Sequence, residues 1–299
     1  MAKIVECVPN ISEGRNPDIV QACLEPIRQT EGVKLLDYSS DADHNRTVIT
    51  YAGTPEGCVE AAFALVQKAA EVIDLTKHEG GHPRMGAVDV IPFVPVSGVE
   101  MEDCAELART LGARMWEELK VPVFLYEQAA SKPSRRNLAN VRKGEFEGMA
   151  DKMKDAKWAP DFGENAPHPT AGVTAVGART FLVAYNINLN TDNLKVGKKI
   201  VKCIREAKGG LVSIKAMALM LEDRNQVQIS MNLTSPFDTP MYRVFELVKL
   251  EAARFAVDIV GSEVVGLVPL EALVKSMDYY LRFEGFKSNQ VIEMALFGD

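Results

Sequence analysis

Apolar positions recur along the chain at two spacings, and the spacing switches often. Lys3 to Val8 is a short apolar run of strand length. From Pro17 to Gln29 the period is helical, with Ile19, Val20, Cys23, Leu24 and Ile27 on one side. Val33 to Tyr38 and Arg46 to Tyr51 read as strands joined by a polar connection, Ser39 to Asn45. Thr54 and Pro55 form a helix start, and Val59, Ala62, Phe63, Val66, Ala70 and Ile73 make an apolar stripe behind it. Ala87 to Val96 is apolar and β-branched, a buried strand. The order β-α-β-β-α-β is the split βαβ arrangement. A helix over about Glu102 to Leu119 and a strand from Val121 to Tyr126 extend it.

From about Ser131 to Gly172 proline and glycine punctuation excludes a long regular element. A connection this long in a compact chain is usually functional or a linker. The second half then repeats the order. Thr180 to Asn186 reads as a strand, Asp192 to Lys208 as a helix, Ile214 to Met220 and Gln226 to Leu233 as strands. Pro240 to Ala256 is a helix, Glu263 to Val268 a short strand and Pro269 to Leu281 a closing helix. Local strings also repeat: Val8-Pro9-Asn10-Ile11 against Ala184-Tyr185-Asn186-Ile187, and Gly86-Ala87-Val88-Asp89-Val90 against Gly261-Ser262-Glu263-Val264-Val265. The expected architecture is α/β (α+β): two β-α-β-β-α-β subdomains with mixed sheets, residues 1–178 and 179–299. A ligand groove is expected between them.

Composition changes this picture little. Hydrophobic content of 47% and charged content of 25% are those of an ordinary globular protein. A net charge of -7 argues against a nucleic-acid partner. The start Met1-Ala2-Lys3-Ile4-Val5-Glu6 lacks the basic head and apolar core of a secretory leader, and no apolar run has the length of a membrane span. Cys7, Cys23, Cys58, Cys104 and Cys203 are scattered with no metal or redox spacing, as expected of reduced cysteines in a cytoplasmic protein.

Candidate chemistry concentrates in His78-Glu79-Gly80-Gly81-His82-Pro83-Arg84-Met85-Gly86. Its first five residues spell H-E-x-x-H, the zinc-protease string. That chemistry needs both histidines on one helical face. Here two glycines intervene, each costing a helix about 1 kcal/mol relative to alanine, and Pro83 pushes His82 toward extended backbone. The string then reads either as a glycine-rich turn or as flexible backbone presenting one histidine as acid or base.

Other polar groups are weighed beside it. Asn10, Ser12 and Glu13, where the first strand meets the first helix, read as a helix cap or as donors toward an anion. Asp41-Ala42-Asp43-His44-Asn45-Arg46 satisfies a turn but is richer in donors than a turn needs. Lys195, Lys198, Lys199, Lys202 and Arg205 at helical spacing read as a solvated face or as a wall for a polyanion. His168, between Pro167 and Pro169, reads as a surface-loop histidine. No nucleophile elbow, phosphate loop or dinucleotide fingerprint is found.

Several blocks resemble one known family. They are Val5-Glu6-Cys7-Val8-Pro9-Asn10-Ile11-Ser12-Glu13-Gly14, Asn45-Arg46-Thr47-Val48, His82-Pro83-Arg84-Met85-Gly86-Ala87 and Trp158-Ala159-Pro160-Asp161-Phe162-Gly163. Gly177-Ala178-Arg179, Asn186-Ile187-Asn188-Leu189 and Val265-Gly266-Leu267-Val268-Pro269-Leu270 continue the match in order. Together they resemble the formiminotransferase domain over nearly the whole chain, in a form without the cyclodeaminase domain found in animals. The resemblance implies transfer of the formimino group from N-formimino-L-glutamate to tetrahydrofolate as co-substrate, a step of histidine breakdown. It also implies two α/β subdomains flanking a substrate tunnel, and a homodimer.

By the same resemblance the catalytic histidine falls on His82, and the folate-contacting loop on Gly163, Glu164, Asn165, Ala166, Pro167, His168, Pro169, Thr170, Ala171 and Gly172. After Gly163 this loop departs from the animal form. The glutamate of the zinc string is incidental, and no metal is expected. Reaction chemistry suggests the remaining roles. Asp41 or Asp43 would assist His82, and Arg46 and Arg84 would hold substrate carboxylates. Asn10, Asn45, Asn186 and Asn188 would supply amide contacts, and the basic helix would take a polyglutamyl tail. Formyl transfer on the same site, folate binding without turnover and zinc hydrolysis are the alternatives.

Overall fold

The computed structural model describes residues 2–297. The chain divides into two compact units, Met1–Arg179 and Thr180–Asp299. Helices and sheets in both bear out the α/β expectation, though only the first unit's sheet is mixed.

The first unit is built on a seven-stranded sheet. Its first strand is broken. β1 (Ile4–Cys7) stops at Pro9, which has no N–H to pair, and the chain resumes as β2 (Asn10–Ile11). Both segments lie between β4 (Arg46–Gly53) and β5 (Val88–Ser97), antiparallel to each. β3 (Val33–Asp41) pairs with β4 and runs further than its apolar pattern indicates, because Ser39, Ser40 and Asp41 still pair with Val48, Thr47 and Arg46. α1 (Pro17–Gln29) follows β2, and α2 (Pro55–Val72) follows β4.

Two strands extend this core in parallel: β6 (Val123–Glu127), after α3 (Met101–Leu119), and β7 (Thr174–Ala178). β7 has no counterpart in the sequence reading. It fills the gap between β5 and β6, parallel to both. The segment before it holds only short helices, α4 (Leu138–Arg142) and α5 (Glu145–Lys152), as the punctuation requires. Ile91 and Phe93 pack toward α1, α2 and α3, whereas Val90 packs with Val141, Met149 and Met153 of the α4–α5 layer. Cover on both faces explains why β5 reads as a continuous apolar run rather than an alternating one.

The second unit is the plain form of the same wiring. β8 (Val183–Leu189), α6 (Leu194–Ile204), β9 (Ile214–Leu221), β10 (Gln226–Leu233), α7 (Met241–Ala253) and β11 (Ile259–Val265) follow in order. The four strands form an antiparallel sheet in the order β11-β8-β10-β9. Tyr185, Ile187, Leu189, Val227, Ile229 and Met231 pack with Ile200, Ile204, Val244 and Val248 of the helices. The lysines of α6 occupy its solvent face, and Val196, Ile200 and Ile204 its packed side. α8 (Leu270–Leu281) and α9 (Ile292–Phe297) complete the chain. No helix among the described residues is long and apolar enough to cross a membrane.

Cys7, Cys23, Cys58 and Cys104 are buried and free, and Cys203 is exposed. Burial pushes the Cys23, Cys58 and Cys104 thiols up to about 12, so they behave as small apolar side chains.

Candidate active site

The site in the first unit grows from the turn between β3 and β4. Asn45 ends that turn in the left-handed region, with φ of 49°, which asparagine tolerates better than most residues. Both ends of its side-chain amide are engaged. Oδ1 accepts from Gly14 N at 2.9 Å, and Nδ2 donates to Glu79 O at 2.9 Å. Asn45 thus ties the end of the first strand and the glycine-rich coil to one turn, rather than serving as a free amide contact.

The glycines permit this close approach. A Cβ on Gly80 would lie 2.4 Å from His44 O, and one on Gly14 would lie 2.5 Å from Asp41 O. Gly81 N donates to Asp43 O at 3.0 Å. No helix forms over residues 78–86, as Gly80, Gly81 and Pro83 predict.

The two histidines of the coil have different surroundings. Arg84 Nε, which can only donate, lies 3.0 Å from His78 Nδ1. Nδ1 is therefore the acceptor, and Nε2–H donates to Asn45 O at 2.9 Å. Both nitrogens of His78 are spent on structure, which leaves neither for a metal. Arg84 is spent too. Its guanidinium pairs with both Glu147 oxygens, at 2.9 and 2.6 Å, and donates to His78 O at 3.1 Å. Arg84 was expected on a substrate carboxylate; its fork is already filled from α5. The Arg84 hydrogen bonds hold the Glu147 carboxyl below its usual range.

His82 has no such partner. Its side chain is 12% exposed. Arg46 Nη1 stands 3.2 Å from both of its ring nitrogens. A donor in line with one lone pair would be far from the other nitrogen, so this guanidinium faces the ring. Asp89 Oδ2 is 3.9 Å from His82 Nε2, too far for a hydrogen bond. Burial first, then Arg46 and Arg142, and then His44 and His78, push the His82 imidazolium down to about 3. The ring is neutral at physiological pH. Burial and the neighbouring Arg142 also lower the proton affinity of Arg46.

The carboxylate nearest His82 is neither Asp41 nor Asp43. Asp41 holds His44 through the backbone N and Nδ1, each at 2.8 Å. The nearer group is Asp89, 1% exposed in β5. Its Oδ1 accepts from Met85 N at 2.9 Å, and Oδ2 takes both Nε and Nη2 of Arg142. The sequence reading missed Asp89 and Arg142. A lone acid in the apolar run from Ala87 to Val96 was the available signal.

The remaining expected residues divide. Asn10 lies in β2, where its Nδ2 donates to Val8 O at 3.2 Å, and Ser12 Oγ donates to Gly86 O at 2.7 Å. Neither caps α1; Asn16 does, accepting from Asp18 N at 3.0 Å. The loop from Gly163 to Gly172 reaches the coil through its far end. Gly86 and Gly172 form a bridge, Val173 N donates to Met85 O, and Ala87 N to Ala171 O, both at 2.9 Å. A Cβ on Gly172 would lie 2.2 Å from Met85 O. Glu164, Asn165 and Ala166 are exposed. His168 is half-buried, not a free surface histidine: Nδ1 accepts from Thr170 N and Ala171 N, at 3.3 and 3.0 Å. Asn186 and Asn188 lie in β8 of the second unit. There Asn186 donates to Glu263 at 3.0 Å, and Gln228 donates to both Asn188 and Glu263 at 3.0 Å.

The arrangement offers one neutral imidazole with no hydrogen-bonded acid, and one guanidinium, that of Arg46, with no carboxylate at ion-pair distance among the described residues. It can move a proton and hold an anion.

Residues 4–179 match the family model described as the formiminotransferase domain, N-terminal subdomain, and residues 184–296 match the formiminotransferase domain. A Streptococcus pyogenes protein named glutamate formimidoyltransferase is 50% identical over 100% of both chains. One of the same name from Thermoplasma acidophilum is 50% identical over 98% of this chain and 97% of its own. The formimidoyltransferase-cyclodeaminase of Gallus gallus is 44% identical over 95% of this chain, which spans 53% of that longer protein.

Proposed function

The chain belongs to the formiminotransferase family, and on that premise we propose that it moves the formimino group of N-formimino-L-glutamate to tetrahydrofolate, releasing L-glutamate, as a step of histidine degradation. Full-length identity to relatives named for this transfer carries the reading. The His82 cluster supplies a chemical rationale.

The folate amine attacks the amidine carbon, forming a C–N bond, and must shed a proton as the tetrahedral adduct forms. The C–N bond to glutamate then breaks, and that nitrogen must gain a proton. One imidazole can accept the first proton and return the second. His82 enters this cycle neutral, as a base must. Arg46 faces the ring with its charge uncompensated, a natural seat for a donor carboxylate. The loop ending at Gly172 is bonded to the same coil, which supports its reading as a folate contact. The reading includes a cytoplasmic homodimer that works without a metal.

The test is a transfer assay with purified protein, tetrahydrofolate, and either N-formimino-L-glutamate or N-formyl-L-glutamate. Glutamate release and formimino-folate formation with the first donor are expected. Turnover only with the formyl donor would reassign the reaction, and folate binding without turnover on either donor would end the enzyme reading.

A further inference from the structure

Asp89 Oδ2 is contested. Arg142, at the last position of α4, directs two N–H groups onto this single oxygen, although a guanidinium fork fits two oxygens best. Oδ1 is committed to Met85 N. The same Oδ2 is the carboxylate oxygen nearest His82 Nε2, at 3.9 Å. The imidazole is thus denied its carboxylate by the arginine that occupies it.

Other charges around the ring do not resolve this. Arg46 of β4 faces it, and His44 of the β3–β4 turn lies 6.5 Å away between ring centroids, held by Asp41. His78 of the coil is tied to Arg84, which Glu147 and Glu145 of α5 compensate. Arg142 holds the buried Asp89, and Arg46 has no carboxylate at ion-pair distance among the described residues. Arg142 is 17% exposed, so its guanidinium remains within reach of a ligand.

We propose that Arg142 is a specificity-determining residue that hands Asp89 over to His82 when the donor binds: a donor carboxylate draws the guanidinium off Oδ2, and Oδ2 then accepts the Nε2–H of His82. This rests on the transferase reading above and names the residue that couples donor charge to the base. With Arg142 on Oδ2 the imidazole lacks an acid partner. With the donor in place it gains a carboxylate at Nε2 and presents Nδ1 as the base. An uncharged amidine would not make the exchange, so a carboxylate becomes a condition of turnover as well as of binding.

The experiment follows the ring signals of isotope-labelled histidine by NMR against pH, with His82 assigned from a His82→Gln variant. The probe is L-glutamate, which carries the donor's carboxylates without its reacting group. In the native protein, saturating glutamate should raise the His82 midpoint by more than about one pH unit. In Arg142→Gln the midpoint should start higher and respond little. Asp89→Asn is isosteric and keeps an acceptor for Met85 N; it should also lose the response, and it answers the question if Arg142→Gln does not fold. An equal rise in native protein and variants would overturn the proposal. So would a His82 midpoint that stays put while other signals report bound glutamate. A native protein that binds no glutamate would overturn the transferase reading itself, and this proposal with it.

Discussion

The β3–β4 turn of the first unit and the β9–β10 turn of the second are the same piece of backbone in different company. Asp41 pairs with Arg46 across one, and Leu221 with Gln226 across the other. Each ends on a left-handed asparagine, Asn45 at φ 49° and Asn225 at φ 48°. In the first unit the glycine-rich coil crosses the turn, is bonded to it through Asn45, Gly81 and His78, and approaches it closely at Gly80. In the second, Arg224, Asn225 and Gln226 line an open cleft of about 460 Å³. The turn is therefore scaffold in both units. The proposed chemistry belongs to the first, where a second segment is laid across the turn and buries an imidazole there.

The largest expected effect tests whether the crossing coil carries the reaction. His82→Ala should lower turnover by about 10²–10⁴-fold, the usual worth of general acid–base catalysis, while folate binding largely persists. Unchanged turnover would take His82 out of the mechanism. The next pair contrasts the turns directly. Asn45→Ala loses both left-handed tolerance and two part-buried hydrogen bonds, and should cost about 2–4 kcal/mol in urea unfolding. Asn225→Ala loses the first alone and should cost about 1–2 kcal/mol. Equal costs would mean that the bonds to Gly14 and Glu79 add nothing.

Acid should separate the units as well. His82 titrates at about 3 when folded, against 6.5 when free. Between those values the unfolded chain takes up a proton that the folded chain refuses. This contribution is fully present above about 6.5 and is lost as the pH falls toward about 3. His82→Gln should flatten the stability profile across that window, and a profile parallel to the native one would deny the shift. The smallest effect is expected at His78. His78→Ala should slow turnover by less than about tenfold, since it removes a brace rather than a proton carrier. A loss as large as that of His82→Ala would make the two histidines partners in the reaction.

Much of the fold was legible because its signals are local. The 3.6-residue stripes of α1, α2 and α6 and the runs of β4, β5 and β10 survive in the structure with small shifts at their ends. β7 was not legible. Thr174-Ala175-Val176-Gly177-Ala178 is short and built mostly of small residues, and it is a strand because β5 and β6 leave a slot of its width. There a Cβ on Gly177 would lie 2.5 Å from Tyr126. The helix cap was misplaced because Asn10, Ser12 and Asn16 all suit the role, and only the break at Pro9 decides that the strand continues. In the site, His82 and Arg46 stood out as residue types at suggestive places. Which acid meets His82, and which arginine is free, depends on pairings over long separations. Arg84 with Glu147 and Arg142 with Asp89 are 63 and 53 residues apart.

The place of β7 also sets a timetable for synthesis. β5 and β6 are made first, yet neither pairs with the other, and the strand that joins them is the last of the unit to be made. Gly172 and Val173, which pin the coil carrying His82, emerge immediately before it. A nascent chain arrested before residue 171 would hold β5 and β6 with exposed edges and the coil without its bonds to Ala171, Gly172 and Val173. Such edges invite pairing with other chains. The unit is expected to complete its sheet and fix its imidazole in one late event on the ribosome, rather than strand by strand.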